Sequence, residues 1–269
     1  MIVGTVVGCS PAAPTERLVV SPGHIDEELK ADAVDGPRAE LKVMVDEDAI
    51  DDVRDELGLE SDLAEERAIW FYDTEYLDLL AAGAILRARS VHDDDDDSTV
   101  KIRPLEADEV DSSWFEIDGF KCELDANPVS ATSSCSLTGE LDEDQIEEVA
   151  DGERDLADLF SPEQTDFLYA HGPWFDWDEL EPFGEIDALV WKLESEQLPS
   201  DLTAEHWELP GPEMLELSIK VPVDEADQRM SELLEWLDDH DVPLSDEQES
   251  KTRRALEALL ADAAADAGY

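Results

Sequence analysis

In a chain that has nearly shed positive charge, the places that keep it are informative. Of 269 residues, 73 are Asp or Glu and only 18 are Lys or Arg, a formal net charge of -55. Yet Lys42, Arg87, Arg89, Lys101, Arg103, Lys121, Lys192 and Lys220 all fall at alternate positions of segments whose intervening positions are mostly apolar. A guanidinium offers a planar fork to two oxygens and an ammonium offers a compact charge, so such a face can grip the oxygens of a phosphate chain. Carboxylates on the same faces could hold a hard divalent cation. Acidic residues alone carry no weight, because they are expected almost anywhere in this sequence; the basic ones do.

Six segments must position these groups. Ala39 to Val45 puts Glu40, Lys42 and Met44 opposite Leu41 and Val43. Ile85 to Val91 sets Arg87 and Arg89 against Leu86 and Ala88, and Thr99 to Arg103 sets Lys101 and Arg103 against Val100 and Ile102. Phe120 to Asp125, Ala188 to Leu193 and Met214 to Val221 carry Lys121 and Glu123, Lys192, and Glu216 and Lys220 in the same way. Period-two alternation of this kind predicts strands with one buried and one polar face. Curled so that the polar faces point inward, they enclose a lumen of cations. Between them, Asp46 can cap a helix carrying Ile50, Val53 and Leu57 that ends near Gly58, and Thr74 to Ala82 is a short helix stopped by Gly83. Ser161-Pro162-Glu163 opens another, and two more are expected near 224–240 and 246–266, the last capped by Ser245.

Composition narrows the function further. A hydrophobic content of 42% is enough for a core despite the charge. Self-repulsion on this scale is relieved by molar salt, so a salt-rich cytoplasm is the expected setting. Nucleic acid and anionic membranes would be repelled, which excludes both as partners. No run reaches the roughly 20 apolar residues of a membrane span. The apolar opening ends in Val6-Val7-Gly8-Cys9, like a lipoprotein cleavage site, but has no basic n-region and reads as a flexible leader or as a start assigned too far upstream. Residues 1–36, up to Gly36, lack periodicity and read as a flexible tail, leaving 37–269 as one domain. Three cysteines with no C-x-x-C pair suggest no disulfide framework and a reduced compartment. The five histidines lack ligand spacing. Asp93 to Asp97 reads as a solvated hairpin loop, and Trp174-Phe175-Asp176-Trp177 with Phe183 as packing aromatics rather than a stacking platform for a base.

Phe71-Tyr72-Asp73-Thr74, then Leu77, Gly83 and Leu86-Arg87-Ala88-Arg89, resembles the fDT…L…G…LRxR block of CYTH proteins, the triphosphate tunnel metalloenzymes. Thr99 to Arg103 resembles that family's next lysine strand, Ala39 to Val43 its opening E-x-E-x-K strand, and Leu215-Glu216-Leu217-Ser218 its late L-E-x-E strand. Lys251-Thr252 with Ala255-Leu256 also looks familiar. The resemblance implies an α+β fold: an antiparallel eight-stranded barrel with a charged tunnel and helices packed outside. It implies activity on inorganic triphosphate, thiamine triphosphate or a nucleotide, by hydrolysis or, as in class IV adenylate cyclases, by cyclisation. By position, Arg87, Arg89, Lys101 and Arg103 would clamp the phosphates with Lys42 in support; Lys192 and Lys220 join the phosphate-binding candidates from their own strand faces. Glu40 and Glu216, joined by Glu123 or Glu205, would bind Mg²⁺ or Mn²⁺, and Glu40, Lys42 and Glu216 form the implied catalytic set. Two acidic positions of the pattern are Arg38 and Ser218 here, so the alternative is a phosphate-chain sensor that binds without cleaving. Replacing Arg87 and Arg89 together is expected to abolish binding yet spare stability, because two like charges part.

Overall fold

The computed structural model describes residues 18–22, 37–142, 144–211 and 213–266. The leader, and most of the segment expected to be a tail, lie outside these residues. Val19–Pro22 within that segment forms strand β1, paired antiparallel with Trp191 to Glu194.

Nine further strands close into a barrel: β2 (Arg38–Met44), β3 (Glu65–Asp73), β4 (Ala84–Val91), β5 (Asp97–Ile102), β6 (Phe120–Ala126), β7 (Ala131–Glu140), β8 (Glu181–Glu194), β9 (Leu202–Glu208) and β10 (Met214–Pro222). The ring runs β2-β6-β7-β5-β4-β3-β8-β9-β10 and back to β2. All neighbours are antiparallel except β2 and β6, which run parallel with Glu40 beside Asp125. The expected antiparallel eight-stranded barrel is therefore corrected to a mixed ring of nine. A closed ring in which every neighbour reverses needs an even number of strands, so nine require one parallel seam.

The apolar strand faces point outward and are covered by helices. Leu41, Val43, Leu215, Leu217 and Ile219 pack under α1 (Ile50–Leu57), through Ile50, Val53 and Leu57, and under α5 (Ala226–Asp239), through Leu233, Trp236 and Leu237. On the other side Leu86, Val100, Ile102 and Leu137 share a core with Ile146 of α3 (Gln145–Ala150) and with Phe167 and Leu168 of α4 (Pro162–His171). Gln164, which completes the Ser161 capping box, also reaches the sheet: its amide nitrogen donates to the carbonyls of Ser98 and Leu137. Cys122 and Cys135 are register partners on β6 and β7 and form a disulfide, correcting the expectation of unpaired cysteines. Cross-strand neighbours need no C-x-x-C spacing, and 13 residues separate them in sequence.

The Asp-Thr motif does local work. Asp73, buried at the end of β3, accepts backbone hydrogen bonds from Thr74, Leu79 and Leu80 at 2.8–2.9 Å. These satisfy the open N–H groups of α2 (Asp78–Ala81) and fix the turn into β4. Burial raises the Asp73 carboxyl against those bonds. Gly83, at φ +85°, then passes under Arg103, whose backbone N–H donates to the Gly83 carbonyl at 2.8 Å. A Cβ there would collide with the Arg103 carbonyl. Gly83→Ala is expected to cost about 3 kcal/mol or more, adding left-handed strain to a backbone clash, and to shift Arg103; thermal unfolding checks the first part.

The last helix, α6 (Lys251–Asp266), begins later than expected. Ser245 does not cap it, because residues 244–248 are drawn onto β2: Leu244 bridges Val45, and the Gln248 amide pairs with both backbone groups of Met44. Nor does α6 pack on the outside of the barrel. Its Ala255 and Leu256 join inward-facing Phe71, Ile85, Ala188, Trp207 and Met214, so one end of the lumen is apolar and stoppered. No helix among the described residues is long and apolar enough to cross a membrane.

A cation-lined lumen as the candidate functional site

The polar strand faces meet inside the ring around a cavity of about 700 Å³. Strand alternation delivers Glu40 and Lys42 from β2, Arg67 from β3, Arg87 and Arg89 from β4, and Lys101 from β5, followed by Arg103. β6 adds Lys121, Glu123 and Asp125, β9 adds Glu205, and β10 adds Glu216, Ser218 and Lys220. Glu249, Lys251 and Arg253 enter from the stopper. Ten of the chain's 18 basic residues thus line one cavity, against six carboxylates. Lys192 lies on the same strand face, opposite Thr203, but is not among the lining residues.

Many of the cations are already organised by acids. Asp125 takes the ammonium groups of Lys42 at 3.0 Å and Lys101 at 2.7 Å and accepts from the Ser134 hydroxyl at 2.7 Å. Burial alone would raise its carboxyl, but those two lysines hold it well below the usual range. Lys42 also pairs with Glu40 at 2.7 Å. Burial raises Glu40 too, and Lys42, Lys220 and Lys101 outweigh it and hold it at about 2. Burial works against the Lys42 charge, but Asp125, Glu40 and Glu216 raise it well above its ordinary value. Lys101 is pushed down by burial. Glu123 stands 3.0 Å from Lys121 and 3.6 Å from Lys220.

The arginines divide into braced and available ones. Arg89 donates to buried Asp97 at 2.8 Å, and Arg67 to buried Glu65 at 2.6 Å. Asp97 therefore belongs to the site, not to the solvated loop in which the sequence placed it. It also overturns the expectation that removing Arg87 and Arg89 spares stability: without Arg89 a buried carboxylate loses its nearest charge, a loss of about 3–5 kcal/mol. Arg87 meets only the Thr99 hydroxyl at 3.2 Å and stands 3.9 Å from Asp97, while its Nε, buried, makes no hydrogen bond. Burial, then the neighbouring Arg89, lowers it to about 10. Arg103 donates to the Ser250 hydroxyl at 3.0 Å and is lowered by burial.

Glu205 and Glu216 are register partners across β9 and β10. The Lys251 ammonium lies between them, 2.5 Å from Glu205 Oε2 and 3.2 Å from Glu216 Oε1, and 4.4 Å above the Trp207 ring. Trp207 donates its indole N–H to Glu205 Oε1 at 2.7 Å. Burial would raise Glu205, but Lys251 and Arg67 overcome it and hold it at about 2. Among the described residues no three His, Cys, Asp or Glu side chains are grouped to hold a metal. The two positions where an acid was expected are otherwise engaged: Arg38 donates to the Lys220 carbonyl, and Ser218 lines the cavity. Of the aromatic run, Phe175 is buried, Trp177 packs on Phe160 and Phe175 outside the lumen and Phe183 is buried, as packing residues would be, whereas Trp174 is exposed, against that expectation. The sequence reading missed Arg67, Asp97 and Trp207 and assigned no role to Lys251.

No protein-family model matches the chain, and neither does any curated protein. Solved structures do. A candidate adenylate cyclase from Bacillus halodurans, 14% identical, superimposes with a TM-score of 0.55 over 81% of this chain and 98% of that one. HpAC1 from Hippeastrum, a candidate adenylyl cyclase with a dominant triphosphatase activity, is 16% identical and gives 0.56 over 80% and 93%. At these identities the likeness establishes a shared fold.

Proposed function

We propose that this chain, CYTH-like in motif and in fold, draws a triphosphate-bearing small molecule into its barrel and hydrolyses it. The observation that carries the reading is the gathering of ten basic side chains into one lumen of a protein with a net charge of -55. An enclosed cavity with an excess of cations favours a compact polyanion. The working unit is residues 37–269, with α6 included because it supplies Lys251 and Arg253.

Arg87, Arg103 and Lys101 face the phosphate chain, with Lys121 and Lys220 further along the wall. Arg89 and Arg67, fixed on Asp97 and Glu65, hold the field in place. Glu40 is a poor base at about 2; its role is to fix Lys42. Lys192 is left to the barrel wall. The donor set fits Mg²⁺ or Mn²⁺ at one place: Glu205 and Glu216 present adjacent carboxylate oxygens with a cation already between them. One or two carboxylates completed by phosphate oxygens are a usual way to hold Mg²⁺. Glu40 and Glu123, tied to Lys42 and Lys121, are less suited to that duty. Such an ion would neutralise charge on the phosphates during attack by water.

Hydrolysis is preferred to cyclisation. Among the described residues the one indole lining the lumen, Trp207, is tied to Glu205 through its N–H and lies under Lys251, so it is not set out as a ready platform for a base. The dominant triphosphatase activity of HpAC1 supports the same choice. Binding without turnover is the second reading, favoured by Arg38 and Ser218 at two acidic positions of the family pattern. Phosphate release from tripolyphosphate in multimolar KCl, with Mg²⁺ or Mn²⁺ and with EDTA as control, separates the two. Metal-dependent release, reduced about 100-fold or more by Glu216→Gln, is expected. Thermal stabilisation by tripolyphosphate with no release moves the assignment to a sensor.

A further inference from the structure

We infer that Lys251 is a tethered counter-cation that competes with the divalent ion for Glu205 and Glu216, so that metal entry requires its displacement. The inference rests on the proposed function for the identity of that ion. Three observations support it. The ammonium bridges two carboxylates from neighbouring strands, 2.5 and 3.2 Å away, and these are the two side chains that would hold the ion. The side chain is buried, so it cannot leave for solvent without losing both contacts and its place over Trp207. Finally, the backbone that presents it is pinned on both sides. Gln248 is hydrogen-bonded to Met44, and its carbonyl accepts from the Asn127 amide at 2.7 Å, while Ala255 and Leu256 are buried in the lumen's apolar end.

Because both flanks are anchored, exchange of the lysine for a metal is a rotation of one side chain, not an undocking of α6. A displaced ammonium left without a counter-ion inside the barrel is costly. The ammonium therefore opposes metal binding most strongly when the lumen holds no phosphate. The pair of carboxylates is protected from stray cations until a polyanion is present to receive the lysine. In a salt-rich medium, where metal and potassium ions are always at hand, such a latch confines the charged metal form to the loaded barrel.

The test is Mn²⁺ affinity of the full chain without phosphate, read by electron paramagnetic resonance of free Mn²⁺, for wild type, Lys251→Met and Lys251→Arg. Removing the tethered charge is expected to tighten Mn²⁺ binding at least tenfold in K251M, while K251R stays near wild type. Adding Glu216→Gln to K251M is expected to abolish the gain. Equal or weaker Mn²⁺ binding by K251M overturns the inference. If K251M fails to fold, Lys251→Gln, which keeps a donor between the carboxylates, is read in the same way. Thermal stabilisation of wild type by tripolyphosphate in metal-free buffer tests the proposed function separately; its absence removes the phosphate ligand and leaves the Mn²⁺ comparison interpretable.

Discussion

Replacing Arg87 and Arg103 together with alanine is expected to weaken tripolyphosphate binding by about 10²- to 10⁴-fold while leaving the melting temperature nearly unchanged. Each guanidinium can make charge-assisted bonds worth about 1.5–3 kcal/mol to a phosphate oxygen. Neither braces a buried acid at short range: Arg87 donates to Thr99 and Arg103 to Ser250. The Asp97 contact at 2.8 Å belongs to Arg89, which the double variant keeps. Isothermal titration at high salt reads the affinity, and thermal unfolding reads the fold. The pairing matters, because Arg87 with Arg89, the choice suggested by sequence alone, would confound lost binding with lost structure. A double variant that retains wild-type affinity would remove the lumen from the phosphate-binding assignment.

The second large effect concerns acid and salt together. Glu40 and Glu205 sit at about 2 in the folded protein against an ordinary 4.5. A carboxylate whose folded value is depressed contributes stability that is complete above its unfolded value and disappears as pH falls through the folded one. The lumen's contribution, about 3 kcal/mol for each of the two at most, is therefore lost between pH 4.5 and 2. The outer surface acts in the opposite sense, since protonating a fraction of 73 acidic groups relieves self-repulsion. At about 1 M KCl the screening length is about 3 Å, which silences the surface far more than the enclosed pairs. In molar KCl the melting temperature is expected to stay level from pH 7 to 4.5 and then fall. In low salt it starts lower, rises on acidification toward 4.5, and falls below that. A melting temperature indifferent to KCl at pH 7 would mean that surface repulsion does not limit this fold.

What the sequence revealed and what it hid have separate physical causes. Strands that bury one face and expose cations on the other, such as β4 and β5, alternate plainly and could be found. β3 could not be, because it is apolar on both faces: Ile69 and Phe71 point into the stoppered end while Ala68, Trp70 and Tyr72 point outward. β7, with five serines and threonines in Thr132, Ser133, Ser134, Ser136 and Thr138, has little apolar contrast, and β9 carries no Lys or Arg to mark its polar face. Without those three, neither the strand count nor the parallel seam was accessible. Most of the clamp was legible because charge scarcity marked it. Lys251 was not, since its meeting with Glu205 spans 46 residues and depends on Gln248 having first seated the chain on β2. Asp97 was hidden by its own neighbourhood, the last of five consecutive aspartates, of which it alone enters the lumen's ion pairs.

The closing pair of the ring, β2 against β10, has a consequence for how the chain is made. β2 is the first ring strand to be synthesised, yet one of its neighbours is β6 and the other is β10, the last; Arg38 and the Lys220 it touches are 182 positions apart. Ring closure therefore waits for nearly the whole polypeptide to emerge, and loop-closure entropy places that long-range docking late and makes it slow. Until then the β10 edge of β2 stays open to wrong partners, including the same strand on another nascent chain. A polypeptide halted before β9 already carries Arg87, Arg89, Lys101 and Lys121, but only as basic stripes on an open sheet, where an acidic stranger could dock as readily as a phosphate.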